Sequence, residues 1–322
     1  MYSVFDILES KNQFIKDGIL YINDKAAGII SPTLVEGFVN NIPKKLFGPK
    51  GIVDIAQNRE EEIWKALIDT GSIIFGSNEQ EVLTAKKNLE NPIYSRTFSY
   101  LSTLVKNCKE LNQSLNNISN AKVVIIGCGG IGSMSAILLA GAGVKNLTLI
   151  DGDRIEESNL NRQILWTKAD IGKFKVDILK RCIIERFDNI KVNLLNNKIS
   201  EDLKLDDNFD IVIVTADEPL SLYKKISENN SHIHPYKIIG SGYIHSQLTL
   251  TVGNLDKSNN IEENFNWYRN PFFIGPSFGP SNIELAGVIT SYALTQIAIK
   301  SNLSSFSTLW DSKKFPREII NV

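Results

Sequence analysis

The chain has 322 residues, 43% of them hydrophobic, with 35 Lys and Arg against 36 Asp and Glu. That length supports roughly two packed domains, and a formal net charge of -1, without any long run of like charge, excludes the electrostatic footprint of a nucleic-acid or membrane-surface protein. The chain opens without a basic n-region and apolar core and has no stretch long and apolar enough to span a bilayer, so a cytoplasmic location is expected.

Residues 14–31 read as a β-hairpin, FIKDGILYIND then AGIISP, with Asn23-Asp24 and Gly28 supplying turn chemistry. After the loop FGPKG, the stretch NREEEIWKALIDTG sets Ile63, Trp64, Leu67 and Ile68 at helical spacing and stops at Gly71, before the strand-like SIIFG. Hairpin, helix and strand suggest a winged-helix-like module over residues 1–80; the competing expectation is an extension that only covers the main core. Residues 77–91 are polar and read as a linker, and 91–121 as an arm leading into a helix with Leu101, Leu104, Val105 and Cys108 on one face, so 81–120 is assigned to linker, arm and helix. From 121 to 322 the pattern is strand, Gly-rich turn, helix, strand (KVVIIG, CGGIGS, MSAILLAGAGV, KNLTLID), then a helix in KVDILKRCIIERF and the strands KVNLLNN and FDIVIVTAD. Alternation of this kind predicts an α/β domain with a Rossmann-like, doubly wound, mostly parallel sheet.

Gly127, Gly129 and Gly132 form G-x-G-x-x-G between a strand and a helix. Gly127 allows the tight turn, Gly129 lets a phosphate approach the backbone, Gly132 lets helix and strand pack closely, and the helix start offers unpaired N–H donors. Asp151, ending the next strand, is placed to accept hydrogen bonds from ribose hydroxyls. Asn159, Arg162 and Lys175 follow without an acidic cluster, a set that suits a triphosphate better than the uncharged nicotinamide ring.

The runs IGCGGIGS, LIDGDRIEESNLNRQ, GKFKVDILK and VIVTADEP, in that order over roughly residues 91–320, resemble the ThiF/MoeB superfamily of adenylating enzymes related to ubiquitin-activating enzymes. The resemblance implies attack of a carboxylate on the α-phosphate of ATP, giving an acyl-adenylate and pyrophosphate. It implies that Asp151 holds the ribose, that Asn159, Arg162 and Lys175 contact phosphates, with Gly130 and Asp153 also in the nucleotide site, and that Asp217 binds Mg2+. A carboxylate at the carboxyl end of a strand suits that metal, although Asp217 also fits a helix N-cap. Arg96, in IYSRTFSY, corresponds to an Arg that enters the neighbouring subunit's site, which implies a homodimer; a solvated surface Arg is the alternative.

The chain departs from the family in having no C-x-x-C pairs, so no structural zinc is expected. Cys182, within an apolar helix, and Cys128, in the glycine loop, are poor thioester carriers, and Cys108 reads as a buried apolar residue. Residues 256–280, with Trp267, Tyr268, Phe272, Phe273 and Phe278, read as a loop over the substrate or as a core plug, and Ser281-Asn282-Ile283-Glu284 as a capping box opening an apolar helix. An adenylating domain, an N-terminal module and no transfer cysteine together resemble the peptide-maturing members of microcin C7 and pantocin A biosynthesis. That likeness implies a ribosomally made precursor peptide as partner, its leader added as a strand to the N-terminal module. The alternatives are activation of a ubiquitin-like or sulfur-carrier protein tail and a leader-binding scaffold without catalysis. His232, His234 and His245 are general-base candidates by residue type alone.

Overall fold

The computed structural model describes residues 4–8, 12–220, 222–253, 269–300 and 305–321. Its contacts separate two units, residues 1–117 and 118–322.

The N-terminal unit holds two small antiparallel sheets. In the first, β1 (Gln13–Lys16), β2 (Ile19–Ile22), β3 (Lys25–Ile30) and β7 (Ile73–Phe75) lie in that order. The tight turns use paired left-handed residues: Asp17-Gly18 (φ 52° and 74°) between β1 and β2, and Asn23-Asp24 (50° and 62°) between β2 and β3. Gly28, expected in a turn, lies inside β3 opposite Phe75, and a Cβ there would strike the Ile74 carbonyl, so close strand approach is what selects glycine. The second sheet, β4 (Val35–Val39), β5 (Ile42–Gly48) and β6 (Gly51–Asp54), was not anticipated. Helix α1 (Glu60–Asp69) buries Ile63, Ala66 and Leu67 against Leu20, Leu46, Ile55 and Ile73, whereas Ile68, assigned to the apolar face, is exposed.

The polar stretch expected to be a linker is instead helix α2 (Glu79–Glu90), with Asn78 as N-cap accepting from the Glu81 N–H at 3.0 Å and Val82 and Ala85 buried. The expected arm contains helix α3 (Ser95–Leu101), and the helix after it, α4 (Cys108–Asn120), starts only at Cys108. Leu104 and Val105 lie in the break and do not share a helical face with Cys108.

The second unit is built on an eight-stranded sheet. Its elements are β8 (Lys122–Ile126), α5 (Gly130–Ala142), β9 (Asn146–Ile150), α6 (Lys175–Ile184), β10 (Lys191–Leu195), β11 (Ile211–Val214), α7 (Leu222–Asn229), β12 (Ile238–Ile244), β13 (Gln247–Val252), α8 (Gly279–Ile299), β14 (Phe306–Asp311) and β15 (Ile320–Asn321). The sheet order is β10-β9-β8-β11-β12-β13-β14-β15, parallel from β10 to β12 and antiparallel beyond. The chain runs outward from β8 to β10 and then returns to the other side of β8 as β11. This reversal leaves a crevice beyond the carboxyl ends of β8 and β11, where such sheets bind ligands. The continuous apolar runs of β8 and β11 are explained by burial on both faces: Val123–Ile126 and Ile211–Val214 are all buried. Helix α8 begins at Gly279 with Pro280 in its first turn and no side-chain cap, so the capping-box expectation at Ser281 is corrected; proline there needs no N–H partner.

Asp170 fixes the loop that delivers α6 to the crevice. It is 2% exposed and accepts hydrogen bonds from Thr167 N (3.1 Å), Thr167 Oγ1 (2.8 Å), Lys173 Nζ (3.2 Å) and Arg181 Nη2 (2.9 Å). Burial alone would raise its carboxyl, but these donors outweigh it and hold the group well below the usual carboxylate range. A depressed folded-state pKa contributes stability above the unfolded value of about 4 and loses it as pH falls toward the folded value. Chemical denaturation should therefore show Asp170→Asn less stable by about 2–3 kcal/mol at pH 7, with the gap shrinking at pH 3. An equal gap at both pH values would contradict this.

Candidate nucleotide-binding site

The glycine loop leaves β8 at Gly127, whose φ of 91° is the left-handed region that favours glycine. Its N–H donates to the Ile150 carbonyl at 2.9 Å, and its carbonyl accepts from Thr215 Oγ1 at 2.8 Å. A Cβ at Gly132 would overlap the Gly127 carbonyl oxygen, so this residue is glycine for packing. At Gly129 the nearest atom to such a Cβ is Gln163 Nε2 at 3.7 Å, so the space a side chain would take is open. Gly129 is also the N-cap of α5 and gives it no side-chain cap, which leaves first-turn N–H groups directed at the opening. An open cradle at a helix start suits a phosphate.

Asp151 stands at the end of β9, 5% exposed. Its Oδ2 accepts from Cys128 N in the glycine loop at 2.7 Å, and its Oδ1 from Asp153 N at 2.8 Å. Burial raises its carboxyl above the ordinary value, opposed by Lys175 and by these two N–H groups. Lys175, at the start of α6 and 7% exposed, pairs through Nζ with Asp153 Oδ2 at 2.8 Å, and its N–H donates to the Asp153 carbonyl at 3.0 Å. Asp151, bonded to the loop at Cys128, is thus linked through the Asp153 N–H to the Asp153–Lys175 pair.

The remaining residues predicted for the site are Asn159, Arg162, Asp217 and Arg96. Asn159 is 6% exposed and spends its amide oxygen on the Glu156 N–H at 3.2 Å. Arg162 donates to the Ser158 carbonyl at 2.6 Å and to Asn161 Oδ1 at 3.0 Å. Asp217 follows β11 and is exposed, paired with Arg269 at 3.1 Å. Arg162, Asp217 and Arg269 all act electrostatically on Tyr243, near the carboxyl end of β12. Among the described residues no three His, Cys, Asp or Glu side chains gather as a protein-only metal cage requires; Asp217 and Glu218 offer instead adjacent exposed carboxylates, the donor set of a site completed by phosphate oxygens. Arg96 is an exposed residue of α3 in the other unit.

Gln163, Arg269, Tyr243 and Asn282 escaped the sequence reading. Asn282 on α8 is 2% exposed and lies against Gly130, donating to Ser277 Oγ at 3.2 Å. Their signal is spatial only, since three of the four come from segments distant in sequence from the glycine loop. Trp267 and Tyr268 lie outside the described residues. Phe272 and Phe278 are 90% and 62% exposed, so the described part of that segment is not a core plug.

The cysteines are poor nucleophiles. Burial pushes the Cys108 thiol up to about 11 and raises those of Cys128 and Cys182, which disfavours the thiolate. His232 and His234 precede β12, at the end of the sheet opposite the crevice, and His232 Nε2 is 2.9 Å from the Leu205 carbonyl oxygen. His245, in the β12–β13 turn, is on the crevice side.

The adenylyltransferase and sulfurtransferase uba4 of Aspergillus niger is 37% identical over 108 residues, 33% of this chain and 22% of that protein, so the match spans about a fifth of the relative. The crystal structure of E. coli MccB with ATP superposes with a TM-score of 0.67 at 21% identity, covering 92% of this chain and 96% of that one. The microcin C7 biosynthetic enzyme MccB in complex with N-formylated MccA gives a TM-score of 0.66 at 21% identity with the same coverage. At these identities the likeness to MccB is one of fold. Residues 103–258, which contain the glycine loop, Asp151, Lys175 and Asp217, match the ThiF family, and this part of the chain is a ThiF family domain.

Proposed function

We propose that this chain uses ATP and Mg2+ to adenylate a carboxylate of a ribosomally made precursor peptide. The observation that carries the reading is the opening at Gly129: open space where a side chain would stand, at the uncapped start of α5, beside Asp151 and Lys175. Triphosphate oxygens fit the α5 N–H groups, and ribose hydroxyls fit the acceptor sites of Asp151 that the loop leaves over, since a carboxylate has about four and two are in use. A substrate carboxylate oxygen attacks the α-phosphorus, the bond to the β-phosphate bridging oxygen breaks, and pyrophosphate leaves with its electron pair. Lys175 and Arg162 stabilise the charge on the phosphate oxygens and Asn159 orients the chain. Mg2+, held by Asp217, supplies further charge neutralisation.

A peptide substrate is favoured by the extent of the fold likeness, which covers 92% of the chain and includes the N-terminal unit, and by the crystallisation of MccB with MccA. The N-terminal unit, with β1 and β7 as end strands of its larger sheet, suits a leader added as a further strand. Activation of a sulfur-carrier protein tail is the second reading, favoured by the name of the Aspergillus relative, whose match covers only 33% of this chain. Arg96 is assigned to the site of a second copy in a homodimer.

Three outcomes are expected. Asp217→Asn should abolish peptide-dependent pyrophosphate exchange without changing the circular dichroism spectrum; retained exchange would remove Asp217 from the reaction. A precursor lacking its leader should show a KM raised by at least about tenfold, the equivalent of about 1.4 kcal/mol, with kcat little changed; an unchanged KM would shift weight to the carrier-protein reading. Mixing Arg96→Ala and Lys175→Ala proteins should restore about a quarter of wild-type activity, since random exchange makes half the dimers mixed with one intact site each; no recovery after verified exchange would place Arg96 outside the composite site.

A further inference from the structure

Asp217 and Glu218 stand side by side after β11, with side chains 74% and 75% exposed. Among the described residues, both meet the guanidinium of Arg269, which arrives on the segment that leads into α8. Arg269 Nη2 is 3.1 Å from Asp217 Oδ2 and 3.2 Å from the Asp217 carbonyl oxygen, while Nη1 donates to Glu218 Oε1. The guanidinium also lies over the Phe273 ring, 4.8 Å from its centroid, and the side chain is 26% exposed. It is therefore held on three sides, by two carboxylates and one aromatic face.

Two carboxylates against one guanidinium leave one negative charge in excess, which attracts a cation from solvent. The same arrangement obstructs that cation at one point. Mg2+ takes its oxygen ligands at about 2.0–2.1 Å in near-octahedral geometry, and Asp217 Oδ2 cannot accept from a guanidinium and bind such an ion in the same direction. A second cation at that distance is also repelled. Release of Asp217 does not strand Arg269, because Glu218 and Phe273 remain as its partners. The exchange therefore requires no charge to be left unpaired.

Resting on the reading that Asp217 is the Mg2+ carboxylate, we infer that Arg269 is a positioning residue acting through Asp217: an internal counter-ion that holds this carboxylate until Mg2+ displaces it, and so sets the Mg2+ concentration at which nucleotide loads.

The test is a Mg2+ titration of the full-length protein with a fluorescent ATP analogue at fixed concentration, read by anisotropy, for the wild type and for the R269Q, R269K and D217N variants. R269Q should lower the half-maximal Mg2+ concentration by about two- to fivefold, the range of an exposed ion pair. R269K keeps the charge but not the fork that spans both carboxylates, and should fall between R269Q and the wild type. D217N should lose the Mg2+ response. A midpoint for R269Q that is unchanged or higher, with the response lost in D217N, would leave the metal at Asp217 and overturn the role of Arg269. A wild-type response in D217N would overturn the metal reading itself, and this inference with it. Should R269Q fail to fold by circular dichroism, R269K decides, and a midpoint not below the wild type overturns the proposal.

Discussion

The site depends on one buried carboxylate. Asp151 ties the glycine loop to the end of β9 by accepting from the Cys128 N–H, and ties the following loop by accepting from the Asp153 N–H. Burial works against its ionisation, and Lys175, with the two N–H groups, works for it. The geometry of the loop and the charge state of the acid are therefore one problem. Without the carboxylate the loop amide loses its acceptor, and Lys175 loses a nearby negative charge beside its Asp153 pair. Any ribose role for Asp151 is added to this structural one, with acceptor capacity left for both.

A second regularity follows from the first. Among the described residues, the three charged groups assigned to phosphate or metal have protein partners: Lys175 has Asp153, Arg162 has the Ser158 carbonyl, and Asp217 has Arg269. Nucleotide binding to such a site is an exchange of partners rather than the filling of bare charges. That reduces the desolvation cost of a buried lysine in the nucleotide-free protein.

The second unit was more legible in the sequence than the first. Strands buried on both faces write continuous apolar runs, and a glycine loop between strand and helix fixes direction and position, so β8, α5, β9 and β11 were readable. In the first unit, β4 to β6 carry mixed polar and apolar residues, with Val35, Phe47 and Ile52 exposed in one cross-strand row, and no clean alternation marks them. The Asp17-Gly18 turn is a hairpin signal in the sequence that the reading of one hairpin turned at Asn23-Asp24 passes over. Helix α2 reads as a linker because only Val82 and Ala85 are buried; its Asn78 cap was the legible sign. Arg269 and Asn282 were not legible at all, because their proximity to Asp217 and Gly130 exists only after the chain has folded.

The central claim is that a carboxylate oxygen attacks the α-phosphorus of ATP. It is tested most directly by incubating the protein with ATP and a precursor peptide whose carboxyl groups carry 18O, and measuring the label in the nucleotide by mass spectrometry once the activated peptide has turned over. The account predicts one 18O in AMP and unlabelled pyrophosphate. Label in inorganic phosphate, with ADP as the nucleotide product, would contradict it.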